Sequence, residues 1–148
     1  MIRANLLYII KENKILLIYK KKGHGKFLFN GIGGKIKENE NIRESVVREA
    51  KEEVNIKVKN VFLCGKINFD DETGLWEVYV FRASDFEGIP CETDECKPIW
   101  FDINNIPYDK MWPDDKYWLP ILIKNKKFRA FFKIRDMKIF EYYLTFNL

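Results

Sequence analysis

The stretch Gly34-Lys35-Ile36-Lys37-Glu38-Asn39-Glu40-Asn41-Ile42-Arg43-Glu44-Ser45-Val46-Val47-Arg48-Glu49-Ala50-Lys51-Glu52-Glu53-Val54-Asn55-Ile56 decides how the chain is read. It predicts a helix that starts behind Asn41 and runs to about Val54. Asn41 is a good cap, and Glu44 completes a capping box. At about 100° per residue, Ile42, Val46, Val47, Ala50 and Val54 share the core-facing arc, and Glu49, Glu52 and Glu53 cluster on the adjoining one. Glu53 lies at the edge of the apolar face itself, and Arg43 falls near it without an evident reason. Like charges at these spacings repel by roughly 0.2–0.5 kcal/mol per pair. The helix dipole disfavours anions at this end, and partial burial adds to the cost. A divalent cation relieves all three penalties, and carboxylates on one face suit oxygen-seeking Mg²⁺. A solvated acidic helix is the other reading of the same residues.

Outward from this helix, residues 3–10 and 15–20 are β-rich around Lys11-Glu12-Asn13-Lys14, which predicts a hairpin. The glycines between 21 and 34 predict a loop. Strands are expected at 57–69 and 75–83 with Asp70–Gly74 as the turn, then a loop at 84–94 and a short strand from Pro98 to Asp102. Asp114 or Asp115 is placed to cap a second helix reaching about Lys124, which Pro120 should distort or confine to one side. Phe128–Ile134 and Lys138–Phe146 predict a closing hairpin. Strands, helix, strands, helix, strands is an α+β order.

The 148 residues fit a single domain with a core of real size. No apolar run approaches the ~20 residues that cross a membrane, and Met1–Ile10 reads as a strand rather than a signal peptide. Cys64, Cys91 and Cys96 fit neither a disulfide framework nor a zinc spacing, so a cytoplasmic location is expected. The net charge of +4 divides into basic flanks, Lys11–Lys26 and Lys116–Lys138, around two acidic zones, Glu38–Glu53 and Asp70–Glu95. That field suits a polyanion held through a cation, or simply a solvated basic surface. Aromatics at 16% raise the question of whether every ring packs the core or some face a ligand.

From Gly34 the pattern is Gly, five residues, Glu40, seven residues, Arg48-Glu49-Ala50, one residue, Glu52-Glu53, one residue, Asn55-Ile56, preceded by Gly31-Ile32-Gly33. This resembles the Nudix box, G-x5-E-x7-R-E-U-x-E-E-x-G-U with U aliphatic. Ala50 is a small U, and Asn55 stands for the final Gly as the next best residue in a left-handed conformation. The resemblance implies a Nudix-type α/β/α sandwich, an α+β fold with a mixed β-sheet and two main helices, over a single domain at 1–148. It implies hydrolysis of a nucleoside diphosphate linked to a further group, with Mg²⁺ or Mn²⁺. Glu49, Glu52 and Glu53 are then the catalytic and metal-binding candidates and the Gly33 carbonyl a further ligand. Glu52 or Glu53 serves as proton acceptor, and Gly34, Glu40 and Arg48 support the box.

Lys20-Lys21-Lys22-Gly23 leading to Phe29-Asn30-Gly31, then Trp100-Phe101-Asp102, Met111-Trp112-Pro113-Asp114-Asp115-Lys116-Tyr117-Trp118 and the Phe-rich hairpin extend the similarity across essentially the whole chain. They resemble the animal-type MutT homologues, oxidised purine nucleoside triphosphate hydrolases. That resemblance implies cleavage of 8-oxo-dGTP and 2-hydroxy-dATP type nucleotides to monophosphate and pyrophosphate, which sanitises the precursor pool. It implies a free purine nucleoside triphosphate as partner, no stable nucleic-acid or membrane partner, and a monomer. Trp112 would stack on the base, Asp114 and Asp115 would share a proton to read purine edges, and Asn30 would offer donor and acceptor. Glu95 would complete the metal site, and Lys20 would lie near the phosphates. Read alone, Asp114-Asp115 is a helix cap, Trp112 a core ring and Asn30 a turn residue. Where the family has an aromatic residue and a Thr beside the base, this chain has His24 and Asn5, which bear on the preferred base. The alternatives are a Nudix pyrophosphohydrolase of methylated or undamaged nucleoside triphosphates, and a nucleotide- or RNA-binding protein without turnover. The intact Glu49-Glu52-Glu53 set opposes the last.

Overall fold

The computed structural model describes residues 1–146, so the last two residues of the expected 1–148 domain lie outside it. The elements are β1 (Ile2–Lys11), β2 (Lys14–Lys20), β3 (Phe29–Asn30), β4 (Ile32–Lys35), α1 (Ile42–Val54), β5 (Lys57–Lys59), β6 (Phe62–Asp71) and β7 (Gly74–Ala83). They continue with β8 (Asp85–Glu87), β9 (Cys96–Asp102), a 3₁₀ turn (Tyr108–Lys110), α2 (Asp115–Ile123), β10 (Phe128–Arg135) and β11 (Lys138–Phe146).

Apolar residues on both faces place β1 at the centre. Leu7 and Ile9 point one way and Tyr8 and Ile10 the other, and all four are buried. One edge of β1 runs parallel to β7. The other edge changes partner along its length, with residues 4–7 antiparallel to β4 and residues 9–11 antiparallel to β2. The main sheet runs β11-β10-β6-β7-β1-β2-β3, with β4 on β1 and β9 on β2. Its β1–β7 and β6–β10 pairs are parallel and its remaining pairs antiparallel, so it is mixed. The first face packs Leu7, Ile9, Leu16, Ile18 and Phe81 against Val46, Ala50 and Val54 of α1. The second packs Tyr8, Ile10, Val80 and Phe132 against Trp118, Leu119 and Leu122 of α2. The expected α/β/α sandwich is thus observed.

Several expectations are corrected. The segment 21–34 is not all loop, because Phe29–Asn30 and Ile32–Lys35 find the free edges of β2 and β1. Likewise 84–94 contains β8, which pairs with β5. The turn expected at Asp70–Gly74 shortens to Glu72-Thr73, since Asp71 and Gly74 still pair. Pro120 lies inside α2 without ending it. The carbonyl it releases, four residues back, belongs to Lys116, an exposed residue. On α1, Val47 is exposed rather than in the core, and Ser45 is buried. The helix is rolled so that Ser45 and Glu53 meet β1 and β4 through hydrogen bonds. Arg43 acquires a reason: its guanidinium lies over the Phe81 ring and donates to the Val61 carbonyl.

Both ends of α1 follow local chemistry. Asn41 Oδ1 accepts the Glu44 amide at 2.8 Å. The Glu44 carboxylate returns to the Asn41 side-chain amide rather than to its backbone, a variant of the expected box. Asn55 sits at φ 57°, the left-handed position where the sequence substitutes for glycine. Asn41→Ala should lower stability by about 1 kcal/mol, seen as a reduced urea midpoint at unchanged slope. An unchanged midpoint would show that this cap carries no stability.

Candidate active site

Arg48 organises the exposed side of the box. Its Nε and Nη2 hold both oxygens of Glu40 at 2.7 and 3.0 Å, and Nη2 also reaches the Lys35 carbonyl. Its Nη1 donates to Glu49 at 2.8 Å and to Glu52 at 3.2 Å. Arg48 hydrogen bonds hold the Glu40 carboxyl down at about 2, well below the usual range. Glu49 goes the other way: burial raises it despite Arg48, with Glu52 and Glu95 adding to the rise. Glu52 is half exposed at the rim.

Glu53 is the buried member, 1% exposed. Its Oε1 accepts the Gly33 amide at 2.7 Å. Its Oε2 has no hydrogen-bond partner among the described residues and lies 3.9 Å from Lys20 Nζ. Burial pushes this carboxyl up to about 8, against the opposing pull of Lys20 and the Gly33 amide. Bare backbone makes the approach possible. A Cβ on Gly33 would collide with the Asn5 carbonyl oxygen, and one on Gly34 would sit 2.6 Å from Glu49 Oε1. Beyond the helix end, Thr93 Oγ1 and Cys96 Sγ donate to the Glu53 carbonyl, and the Cys91 amide to that of Val54. This strap brings exposed Glu95 near enough for its charge to raise Glu49 and Glu53.

The donor set is all oxygen, and a buried carboxylate oxygen lacks a partner, so these residues fit a hard divalent cation. As placed, no three His, Cys, Asp or Glu side chains among the described residues converge into an ion cage. Glu49 and Glu52 lean instead toward Arg48.

A cavity of about 210 Å³ opens beside the box on the α2 face of the sheet. Asn5, Lys20, His24, Asn30, Trp112, Asp114 and Asp115, the seven substrate-contacting candidates, all line it, as do Gly33 and Gly34. Lys20 therefore touches both the cavity and Glu53. Asp114 and Asp115 are both 2% exposed. Asp114 does not cap α2: its side chain makes no cap bond, and its Oδ2 accepts Trp118 Nε1 at 2.7 Å. Burial raises both carboxyls, and the neighbouring Asp114 charge pushes Asp115 up further. Asp115 Oδ2 is left without a donor.

Two candidates differ in detail from the sequence reading. Asn30 Oδ1 is occupied by the Gly31 amide and the Tyr8 hydroxyl, so Asn30 offers the cavity its amide donor rather than both functions. The Asn5 amide is committed to Ser45 Oγ at 2.7 Å, and its Oδ1 has no donor. Sequence reasoning missed Ser45, Thr93 and Trp76. The available signal for Trp76 was its alternation with Val78 and Val80, which turns it inward on β7.

Fold and site define a class: a mixed sheet between two helices, with a glycine strand and an acidic helix gathering carboxylates beside a deep cavity. The chain belongs to the Nudix family, since the NUDIX domain model matches residues 1–122. It is similar to the oxidized purine nucleoside triphosphate hydrolases of Danio rerio, at 39% identity over 88% of this chain and 85% of that one, and of Mus musculus, at 38% over the same shares. Among solved structures it resembles the mutator MutT protein of Bacillus halodurans, with a TM-score of 0.86, 26% identity and 97% of each chain covered. Nudix hydrolases in general use divalent metal ions, which agrees with the oxygen-only donor set.

The buried aspartates fix a pH dependence. Well below about pH 4 both are protonated in folded and unfolded chains alike, and their contribution to stability is complete. As pH rises, the unfolded aspartates ionise while the raised folded ones resist, so stability falls until they too ionise. Asp115→Asn cannot ionise. Its unfolding free energy, measured by urea denaturation, should therefore gain on the wild type as the pH rises above about 4. A difference that stays constant with pH would contradict the buried, raised carboxyl.

Proposed function

We propose that the protein hydrolyses oxidised purine nucleoside triphosphates, of the 8-oxo-dGTP and 2-hydroxy-dATP type, to the monophosphate and pyrophosphate, using Mg²⁺ or Mn²⁺. The observation that carries this reading is the continuity of one cavity with the box. The cavity is lined by Trp112, Asn30 and the aspartate pair and also by Lys20 and Gly33, both of which contact Glu53.

Glu49, Glu52, Glu53, Glu95 and the Gly33 carbonyl would hold the cation. When bound, it supplies charge neutralisation of the pyrophosphate and a lowered pKa for coordinated water. Glu53, with its carboxyl near the working pH, is suited to move a proton, and rim-exposed Glu52 is the other candidate for that role. Arg48 fixes the carboxylates of Glu49 and Glu52 from behind and does not line the cavity. Lys20 places one positive charge where the polyphosphate leaves the cavity. At the base end, a protonated Asp115 donates a hydrogen bond while Asp114, tied to Trp118, accepts one, and the Asn30 amide donates. Such an edge-reading set matches the altered donor and acceptor pattern of an oxidised purine. The protein acts as a monomeric single domain on the free nucleotide in the cytoplasm, without nucleic acid or membrane.

The test is pyrophosphate release with Mg²⁺ from a panel of normal, methylated and oxidised nucleoside triphosphates. Oxidised purines should lead the panel, chelation should abolish release, and Glu53→Gln should lower kcat by about 10³-fold or more while the protein stays folded. Equal rates on dGTP and 8-oxo-dGTP, or a lead for methylated purines, would transfer the reading to a broader Nudix pyrophosphohydrolase. Release from no nucleotide would end both.

A further inference from the structure

Ser45 stands on the carboxylate side of α1, one turn before Glu49. At about 100° per residue, Glu49 and Glu53 lie about 40° and 80° from it and Glu52 about 20° on its other side, whereas Val46, Ala50 and Val54 occupy about 100–180°. Ser45 is fully buried. Its hydroxyl donates to the Ile42 carbonyl at 2.5 Å. That spends its one proton, so toward the sheet it is an acceptor. Asn5 of β1 meets this need: its side-chain amide, also buried, donates to Ser45 Oγ at 2.7 Å. The polarity of the pair has one solution, and it leaves Asn5 Oδ1 buried with no donor among the described residues. Asn5 also packs against Gly33, where a Cβ would lie 2.1 Å from the Asn5 carbonyl oxygen and 3.1 Å from its Oδ1. Gly33 in turn holds Glu53 through its amide.

We infer that Asn5 and Ser45 are positioning residues: their bond sets the roll of α1 on the sheet, and through it the place of Glu49, Glu52 and Glu53, so the Asn5 amide serves the acidic helix rather than the base. The inference rests on the metal-dependent hydrolase reading above and adds to it two residues outside the acidic array. Apolar burial does not set the roll, because it is non-directional and the small side chains of Val46 and Ala50 slide over the sheet without losing it. A hydrogen bond between two buried groups is directional and costly to break. Side chains reach about 5–6 Å from a helix axis, so a roll of roughly 10° moves a carboxylate by about 1 Å. A displacement of that size is enough to spoil a preorganised site. The Gly33–Glu53 bond does not take over this task, because it is made by one of the carboxylates that a cation would engage. The bond at Ser45 is made by none of them.

The test is binding of Mn²⁺ alone, followed by electron paramagnetic resonance of the free ion, beside kcat, KM and the urea midpoint, in Ser45→Ala, Asn5→Leu and the double variant. Ser45→Ala should weaken Mn²⁺ binding roughly tenfold and lower kcat by a similar factor. KM for the nucleotide at saturating metal should move less than about twofold, because Ser45 does not line the cavity. Asn5→Leu should lose as much Mn²⁺ affinity, and the double variant no more, since all three break one bond. The urea midpoint should behave differently. Each single variant strands a buried polar group and the double variant removes both, so the midpoint falls in the singles and recovers in the double. Mn²⁺ affinity that stays low while the midpoint recovers identifies positioning. Wild-type affinity in Ser45→Ala, or affinity that follows the midpoint through the series, would show that the bond only stabilises the fold, and either result overturns the inference. The expected losses of affinity in a protein that releases no pyrophosphate would uphold the pair and refute the hydrolase reading. A wild-type protein that takes up no Mn²⁺ would overturn both.

Discussion

The hydrogen bond from the Gly33 amide to the Glu53 carboxylate is the constraint on which the rest of the site depends. It is 2.7 Å long and joins the helix that carries the box to the strand that walls the cavity. Making it requires a helix carboxylate inside the apolar interface and a strand with no side chain in the way. Gly33 and Gly34 supply the second condition, because side chains there would meet Asn5 and Glu49. The first condition is costly. Burial raises the Glu53 carboxyl to about 8, and one of its oxygens has no partner among the described residues. A fold that retains such a group needs a use for it, and a cation with a polyphosphate is a use that answers the missing interaction.

Around that bond the charges divide their tasks by depth. Arg48 works at the rim, where it ties Glu40, Glu49 and Glu52 into one network and keeps a repulsive helix face intact. Glu53 works inside, with Lys20 as a close cation and as the link to the cavity. The aspartate pair repeats the theme: two buried carboxyls, one tied to Trp118 and one with an oxygen that finds no partner among the described residues. A molecule with a hydrogen-bonding ring at one end and a polyphosphate at the other answers both.

Much of this was legible in the sequence because it is local or repeats at fixed spacing. Asn41 and Asn55 declare the helix and its ends, and the structure agrees on both. Legibility failed where tertiary contacts decide. A helical wheel assigns Val47 to the core, yet the Asn5–Ser45 and Gly33–Glu53 bonds roll α1 and bury Ser45 instead. Asp114 has the sequence of a helix cap, but a Trp118 indole four residues on claims its carboxylate. Asn30 offers two functions on paper and one in the fold, because Tyr8 and Gly31 take its oxygen. Trp76 was legible only as an inward-facing strand residue, since nothing in its own strand reveals that a loop about fifty residues earlier brings His24 to its face.

The most direct measurement counts protons when Mg²⁺ binds. Calorimetric titration at pH 7 in buffers of different ionisation enthalpy gives the number released per ion. If the buried, largely protonated Glu53 becomes a ligand, the wild type should release close to one proton and Glu53→Gln essentially none. A heat of binding that does not depend on the buffer, or release that survives in Glu53→Gln, would contradict the role given to the carboxylate on which the site is built.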